Sequence, residues 1–247
     1  VARGSAFQLQ TDHCAADCTA AHCFRWRGCC NPSQAATRLA WLNIQFTTHS
    51  GFETIAFAWL WVFVNLLSAV LAVSACLFYV FVYSLWLKRS STSNIVIGGA
   101  AGAVPVLIGW SSVTNTVDWP PIILFILIFL WTPPHFWALA IRYRDDYSNA
   151  QVPMLPVIVG TKVTGYRMVL YAFQVWAASL IFVPVADMGL TYLVSAIVLG
   201  AMFTLFSFQV MVNPTKKSAM RLFGFSISYI TILFSLMAVD QLIRSGF

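Results

Sequence analysis

Charge is scarce in this sequence. Of 247 residues only 9% are charged and 60% are hydrophobic, and the mean hydropathy is +0.78. A soluble domain carries about 25% charged residues, so the deficit excludes one and marks a multi-spanning membrane protein. Zinc and haem-attachment spacings of the C-x-x-C type are missing, although Cys14, Cys18, Cys23, Cys29 and Cys30 crowd the first thirty residues. No basic stretch leads into a clean apolar run, so no signal-peptide pattern is present. No low-complexity linker or internal repeat divides the chain. The net charge of +6 does not indicate nucleic acid. The aromatics lie inside apolar runs, and Lys and Arg in a membrane protein mark cytoplasmic loops.

Residues 1–50 are unlike the rest. They hold Arg3, Arg25, Arg27, Arg38 and most of the cysteines, and no long apolar run. With His13 and His22 the cysteines could hold a metal, but a poorly ordered, atypical tail is the expectation. Residues 51–247 form the membrane domain. Six apolar segments are expected there: Ile55 to Leu85, Ile95 to Val113, Pro120 to Ile141, Met168 to Ala186, Leu190 to Val212, and Leu222 to Val239. The first exceeds the roughly 20 residues that cross hydrocarbon, so it tilts, protrudes or is two pieces. An unpaired backbone is too costly in lipid for anything but helices or closed barrels, and no barrel-like alternation occurs. The fold class is therefore an all-α membrane protein. Cys76, inside the first segment, reads as a small packing residue.

The loops sort by charge. Lys88 and Arg89 follow the first segment; Arg142, Arg144, Lys162 and Arg167 follow the third; Lys216, Lys217 and Arg221 follow the fifth. The alternate loops hold Asp118 and Asp187 and no basic residue. The three basic loops are therefore cytoplasmic, or on the matrix side in an organelle. Arg244 and the N-terminal tail then lie outside, the latter against the rule.

One stretch carries chemistry: "WTPPHFWALAIRYRDDYSNAQVPMLP", Trp131 to Pro156. Asp145 and Asp146 stand among four basic residues in the longest basic loop, and loops that long are usually functional or disordered. Paired carboxylates suit Mg²⁺, which completes its shell with water and phosphate oxygens. Nearby cations suit the remaining phosphate charge. The alternative is that Arg142 and Arg144 merely end a helix, with the aspartates as solvated partners. His135 lies inside the apolar run, where ionisable groups are costly and tend to be functional. It is either such a group or a histidine hydrogen-bonded to a neighbouring helix. His135, Leu139 and Arg142 share one helical face. A second stretch, "YSLWLKRSSTSNIVIGGAAGAVPVLIGW", brings Lys88 and Arg89 to the same membrane face. Gly98, Gly99, Gly102 and Gly109 would let helices approach closely, and Asn94 is expected to cap its helix.

These two stretches closely resemble the protohaem IX farnesyltransferases, or haem O synthases, a branch of the UbiA-type intramembrane prenyltransferases. The resemblance runs from about Asn65 to the C-terminus. It implies a UbiA-type bundle of nine spans, of which about six are present. It also implies farnesyl diphosphate and haem b as substrates, Mg²⁺ as cofactor, and haem O as product. Asp145 and Asp146 would hold the metal. Lys88, Arg89, Arg142, Arg144, Lys162 and Arg167 would bind diphosphate. His135 and Trp131 would contact haem. The bilayer is the setting, with haem A synthase or terminal oxidase assembly factors as partners. The location implied is the bacterial inner membrane rather than the mitochondrial one. An Asn/Asp-rich first acidic motif of the family has no match here, and residues 31–50 contain no Asp or Glu. A truncated or frame-disrupted N-terminus, and a chain with little activity, are the expectations. Ser91-Thr92-Ser93 and Gln151 are smaller departures, from Thr-Pro-Gln and glycine. The alternatives are a prenyltransferase acting on a quinone precursor or lipid, or a non-catalytic multi-span protein.

Overall fold

Asn65 decides how the first apolar segment folds. In the computed structural model its backbone is extended (φ −166°, ψ 163°), so one helix ends and another starts there. Helix α1 (Glu53–Phe63) precedes it and α2 (Leu66–Leu77) follows. The Asn65 side-chain oxygen accepts the Ser68 N–H at 2.8 Å, which is the N-cap of α2. Its amide nitrogen donates to the Ser111 carbonyl at 2.6 Å, and the Ser68 and Ser111 hydroxyls meet at 2.7 Å. Of the three possibilities the sequence left open, two pieces is the outcome.

The structure describes residue 51, residues 53–87, residue 91, and residues 93–149 and 153–245. The chain divides into two units, Val1–Ala56 and Phe57–Phe247. Of the first only residue 51 and the start of α1 are described, so the tail with its cysteines, His13 and His22 lies outside the described residues, as do Lys88, Arg89 and Gln151. The second unit continues from α2 through a π-helical stretch, Phe78–Leu87, into α3 (Asn94–Thr114), α4 (Trp119–Arg142), α5 (Arg144–Asn149), α6 (Leu155–Ile158), α7 (Thr161–Val185), α8 (Leu190–Val212) and α9 (Lys216–Ser245). No strand occurs among the described residues. Six helices among them are long and apolar enough to cross a membrane. The chain is an integral membrane protein of the all-α class.

Local sequence explains most boundaries. Helix α4 opens with prolines in its first turn, where a missing N–H costs nothing. Pro133 and Pro134 sit inside it and take ladder partners from the carbonyls of Phe129 and Leu130. Helix α3 ends on Asn115 at φ 55°, a left-handed cap that asparagine tolerates. Asn94 is not the cap residue. Ser93 holds that position without a side-chain bond, while Asn94 is buried one residue inside and its oxygen accepts the Ile95 N–H at 2.7 Å. Helix α7 begins at Thr161, well before the Met168 expected from the apolar run. Lys162 and Arg167 therefore lie on its first turns rather than in a loop, because a helix continues past the hydrocarbon wherever its backbone stays satisfied. Helix α9, with 30 residues, spans about 45 Å and so outruns the roughly 30 Å hydrocarbon core.

Helices α4, α7, α8 and α9 close a ring: α4 packs on α7, α7 on α8, α8 on α9, and α9 back on α4. Helix α3 packs on α4 from outside that ring, and α2 packs on α3. Close approach is made where side chains vanish. A Cβ on Gly165 of α7 would lie 2.7 Å from the Met211 Cα of α8. A Cβ on Gly200 would run into the Trp176 ring, one on Gly98 into Tyr83, and one on Gly99 would come 3.1 Å from Thr132. Gly102 and Gly109 have nothing within 4 Å, so the packing role expected of all four α3 glycines belongs to two of them. Phe203 and Tyr229 stack between α8 and α9, and Trp137 meets Tyr171 edge-on between α4 and α7.

Helix α8 cannot cap itself, since Gly189 at its N-cap has no side chain. The carboxylate of Asp240, buried on α9, accepts the Gly189 N–H at 2.5 Å and the Tyr192 N–H at 3.3 Å. A carboxylate at the positive end of a helix is favourable.

Candidate functional site

The lower half of α4 builds the site. Trp131 and His135, four residues apart, share a face of the helix, and their rings stack at 4.4 Å with 21° between planes. From α9, Phe223 stacks on the same imidazole at 4.6 Å and 25°. Phe136 meets it edge-on at 5.1 Å. His135 is buried. Its Nδ1 lies 2.7 Å from the Ser226 hydroxyl, and Trp131 Nε1–H donates to the Ser226 carbonyl at 2.9 Å. The Ser226 hydroxyl also donates to the Phe223 carbonyl at 2.6 Å. The bond to a neighbouring helix, one of the two readings of His135, is thus present, and it engages only one ring nitrogen.

From His135 the same helix runs about 10 Å along its axis to Arg142, where Tyr143 interrupts it and α5 begins at once. Asp145 and Asp146 occupy the first turn of α5 and are exposed. Asp145 Oδ2 pairs with Lys216 Nζ at 3.3 Å, with the two side chains 78% and 57% exposed. That contact brings the α4–α7 and α8–α9 connections to one end of the bundle, as their common basic character predicts. Arg142, Arg144, Lys162 and Arg167 are all exposed and make no salt bridge to either aspartate. Sequence reasoning missed Lys216 and Ser226 as neighbours of the site.

No group of three or more His, Cys, Asp or Glu side chains converges among the described residues. The hard-oxygen donors expected from the sequence are the carboxylates of Asp145 and Asp146, consecutive on the first turn of α5. That set fits Mg²⁺ held by one or two carboxylates with phosphate and water completing the shell, and not an all-protein cage. An apolar cleft of about 420 Å³ lies between α3, α4 and α9, lined by Val106, Trp110, Leu124 and Phe234 among others. A second, about 400 Å³, sits at the α8–α9 connection beside Gln209, Lys217 and Arg221. Neither is lined by His135 or the aspartates.

Paired aspartates and exposed basic residues thus stand at one end of a helical membrane bundle, with a buried histidine in the helix that leads to them. The UbiA prenyltransferase family profile matches residues 49–231, and the chain belongs to that family. It is 54% identical over 183 residues to a protoheme IX farnesyltransferase of Parafrankia sp., covering 73% of this chain and 58% of that protein. It is 49% identical over 190 residues to that of Clavibacter michiganensis subsp. michiganensis, covering 75% and 61%. With that of Picosynechococcus sp. it shares 49% over 191 residues, covering 76% and 60%. The chain spans about three fifths of the length of these curated relatives. A solved structure of digeranylgeranylglyceryl phosphate synthase shares the fold, with a TM-score of 0.68 at 19% identity over 81% of this chain and 70% of that one.

Proposed function

We propose that the chain carries one diphosphate half-site and the haem contacts of a protohaem IX farnesyltransferase. The reaction transfers the farnesyl group of farnesyl diphosphate to a vinyl group of haem b, with addition of water, to give haem O. The observation that carries this reading is identity near 50% to relatives of that name across the stretch that holds Trp131, His135, Asp145 and Asp146. In this reading Asp145 and Asp146 would hold Mg²⁺, which when bound would supply positive charge against the diphosphate. Lys216, Arg142, Arg144, Lys162 and Arg167 supply further positive charge at the same end, and the resemblance adds Lys88 and Arg89 to the diphosphate-binding set. Such charge acts where it develops in the transition state. The apolar helices keep water from the allylic cation. Trp131 and His135 orient haem b. The membrane is the bacterial inner membrane with the basic loops cytoplasmic, and haem A synthase or oxidase assembly factors take the product.

The test is Asp145→Ala and Asp146→Ala in a relative of full length, with haem O measured by chromatography of extracted haems. Each variant should insert normally and lose haem O, by roughly 10²–10³ in rate for one lost electrostatic contact. Normal haem O in both variants would remove the assignment.

A further inference from the structure

We propose that Ser226 is a positioning residue that fixes His135 as its Nδ1–H tautomer, leaving the Nε2 lone pair as the group the ring offers. The functional consequence rests on the haem reading above; the tautomer itself does not. The argument is a count of protons. Ser226 has one hydroxyl hydrogen. Its Oγ lies 2.6 Å from the Phe223 carbonyl oxygen, a separation that belongs to an O–H···O hydrogen bond. Without a hydrogen between them, two oxygens that close would oppose lone pair to lone pair. The hydrogen is therefore committed to Phe223. Toward His135 Nδ1, 2.7 Å away, Ser226 can only accept, and the imidazole must donate. A neutral imidazole has a single N–H. With Nδ1 protonated, Nε2 is bare.

The ring is also held in plane. Trp131 and Phe223 stack on it at 4.4 and 4.6 Å, and two rings that near cannot share one face, so the imidazole is sandwiched. Rotating it by half a turn would replace the Nδ1–H donor at Ser226 with a carbon. Ser226 fixes the sandwich as well, because its carbonyl accepts the Trp131 N–H at 2.9 Å. One residue of α9 thus sets both the proton on His135 and one wall of its slot. Among the described residues no hydrogen-bond partner meets Nε2. A bare imidazole nitrogen in an apolar slot suits a Lewis-acidic metal centre or a hydrogen-bond donor on a planar ligand. Haem iron is the former, and a fixed partner on the second ring nitrogen is what orients a ligating histidine and raises its basicity.

The test uses the full chain in lipid nanodiscs without haem, labelled at the histidine nitrogens. Four histidines are present, and His135→Gln identifies the signals of the buried one. Nitrogen NMR should show Nδ1 protonated and Nε2 unprotonated. Ser226→Ala should move the proton to Nε2 in most molecules, and Ser226→Thr should restore the original spectrum. A wild-type ring protonated at Nε2, or at both nitrogens, overturns the proposal. So does an unchanged spectrum in Ser226→Ala. If Ser226→Ala fails to insert, the wild-type spectrum still decides. Protohaem titrated into the same samples should bind roughly 10–100-fold more weakly to Ser226→Ala, with Ser226→Thr near wild type. Equal haem affinity in His135→Ala and wild type would refute the haem role while leaving the tautomer to stand or fall on the spectra.

Discussion

Replacing Asp240 with alanine should unfasten the start of α8 from α9. The carboxylate accepts two backbone N–H groups, at 2.5 and 3.3 Å, and Gly189 offers no side chain in its place. A hydrogen bond to a charged group is worth about 1.5–3 kcal/mol. The longer contact contributes less, and the favourable helix-end position adds about 0.3–2 kcal/mol. Part of this is offset, because the deletion also removes a buried charge that is costly to desolvate. A net loss of about 3 kcal/mol follows, in the range seen when a buried polar network is broken. Gly189→Ala supplies the control. Its backbone is extended (φ −84°, ψ −173°), so alanine fits the conformation, but the new Cβ would lie 2.8 and 3.0 Å from the Asp240 oxygens. It should destabilise the wild type by displacing the carboxylate, and do little once Asp240 is gone. The assay is thermal unfolding of both single variants and the double variant in detergent. Residues in direct contact are expected to be non-additive by 0.5–3 kcal/mol. Strictly additive Tm shifts, or an Asp240→Ala variant as stable as wild type, would refute the capping argument.

Two further outcomes follow from the packing. Gly165→Ala puts a Cβ 2.7 Å from the Met211 Cα, a backbone atom that cannot swing away, so α7 and α8 must part at a cost of about 1–3 kcal/mol; Gly102→Ala, with nothing within 4 Å, should leave Tm unchanged or raise it. Asn65→Leu removes the cap of α2 and its bond to Ser111, worth together about 1–3 kcal/mol, and should appear as faster hydrogen exchange in α2 with α7 and α8 unaffected.

The helices were legible because the bilayer enforces them. A long apolar run has one affordable backbone, and its charged ends mark where it leaves the hydrocarbon. The same reasoning misplaced the start of α7, because hydropathy reports where the membrane ends and not where the hydrogen-bond ladder ends. Asn65 shows a different limit. A single polar residue within an apolar run is equally consistent with a lipid-facing tolerance, a kink or a cap. Its extended backbone follows from the partners Ser68 and Ser111, and the latter lies 46 residues away.

The pairing of His135 with Ser226 was hidden for a similar reason, yet a trace of it is in the sequence. On α9 the buried residues Leu222, Ser226, Tyr229 and Leu233 recur at the three- and four-residue spacing of one helical face, and Asp240 continues it two turns on. Serine and aspartate on such a stripe have no water to meet; the Ser226 hydrogen goes to the Phe223 carbonyl of its own helix, and the oxygens of both residues remain to accept from the helix opposite. Asp240 finds the bare start of α8, and Ser226 finds the one ionisable ring inside α4. What the stripe cannot specify is the rotation of α4 about its own axis, which decides whether His135 faces Ser226 or the lipid. That rotation is set by the long helices packed on α4, which are α3, α7 and α9, the last two joined through α8, whose approach to α7 is made at Gly165 and Gly200. The polar pairs therefore follow from the packing of small residues, and a substitution that parts α7 from α8 should loosen the slot around His135 without touching it.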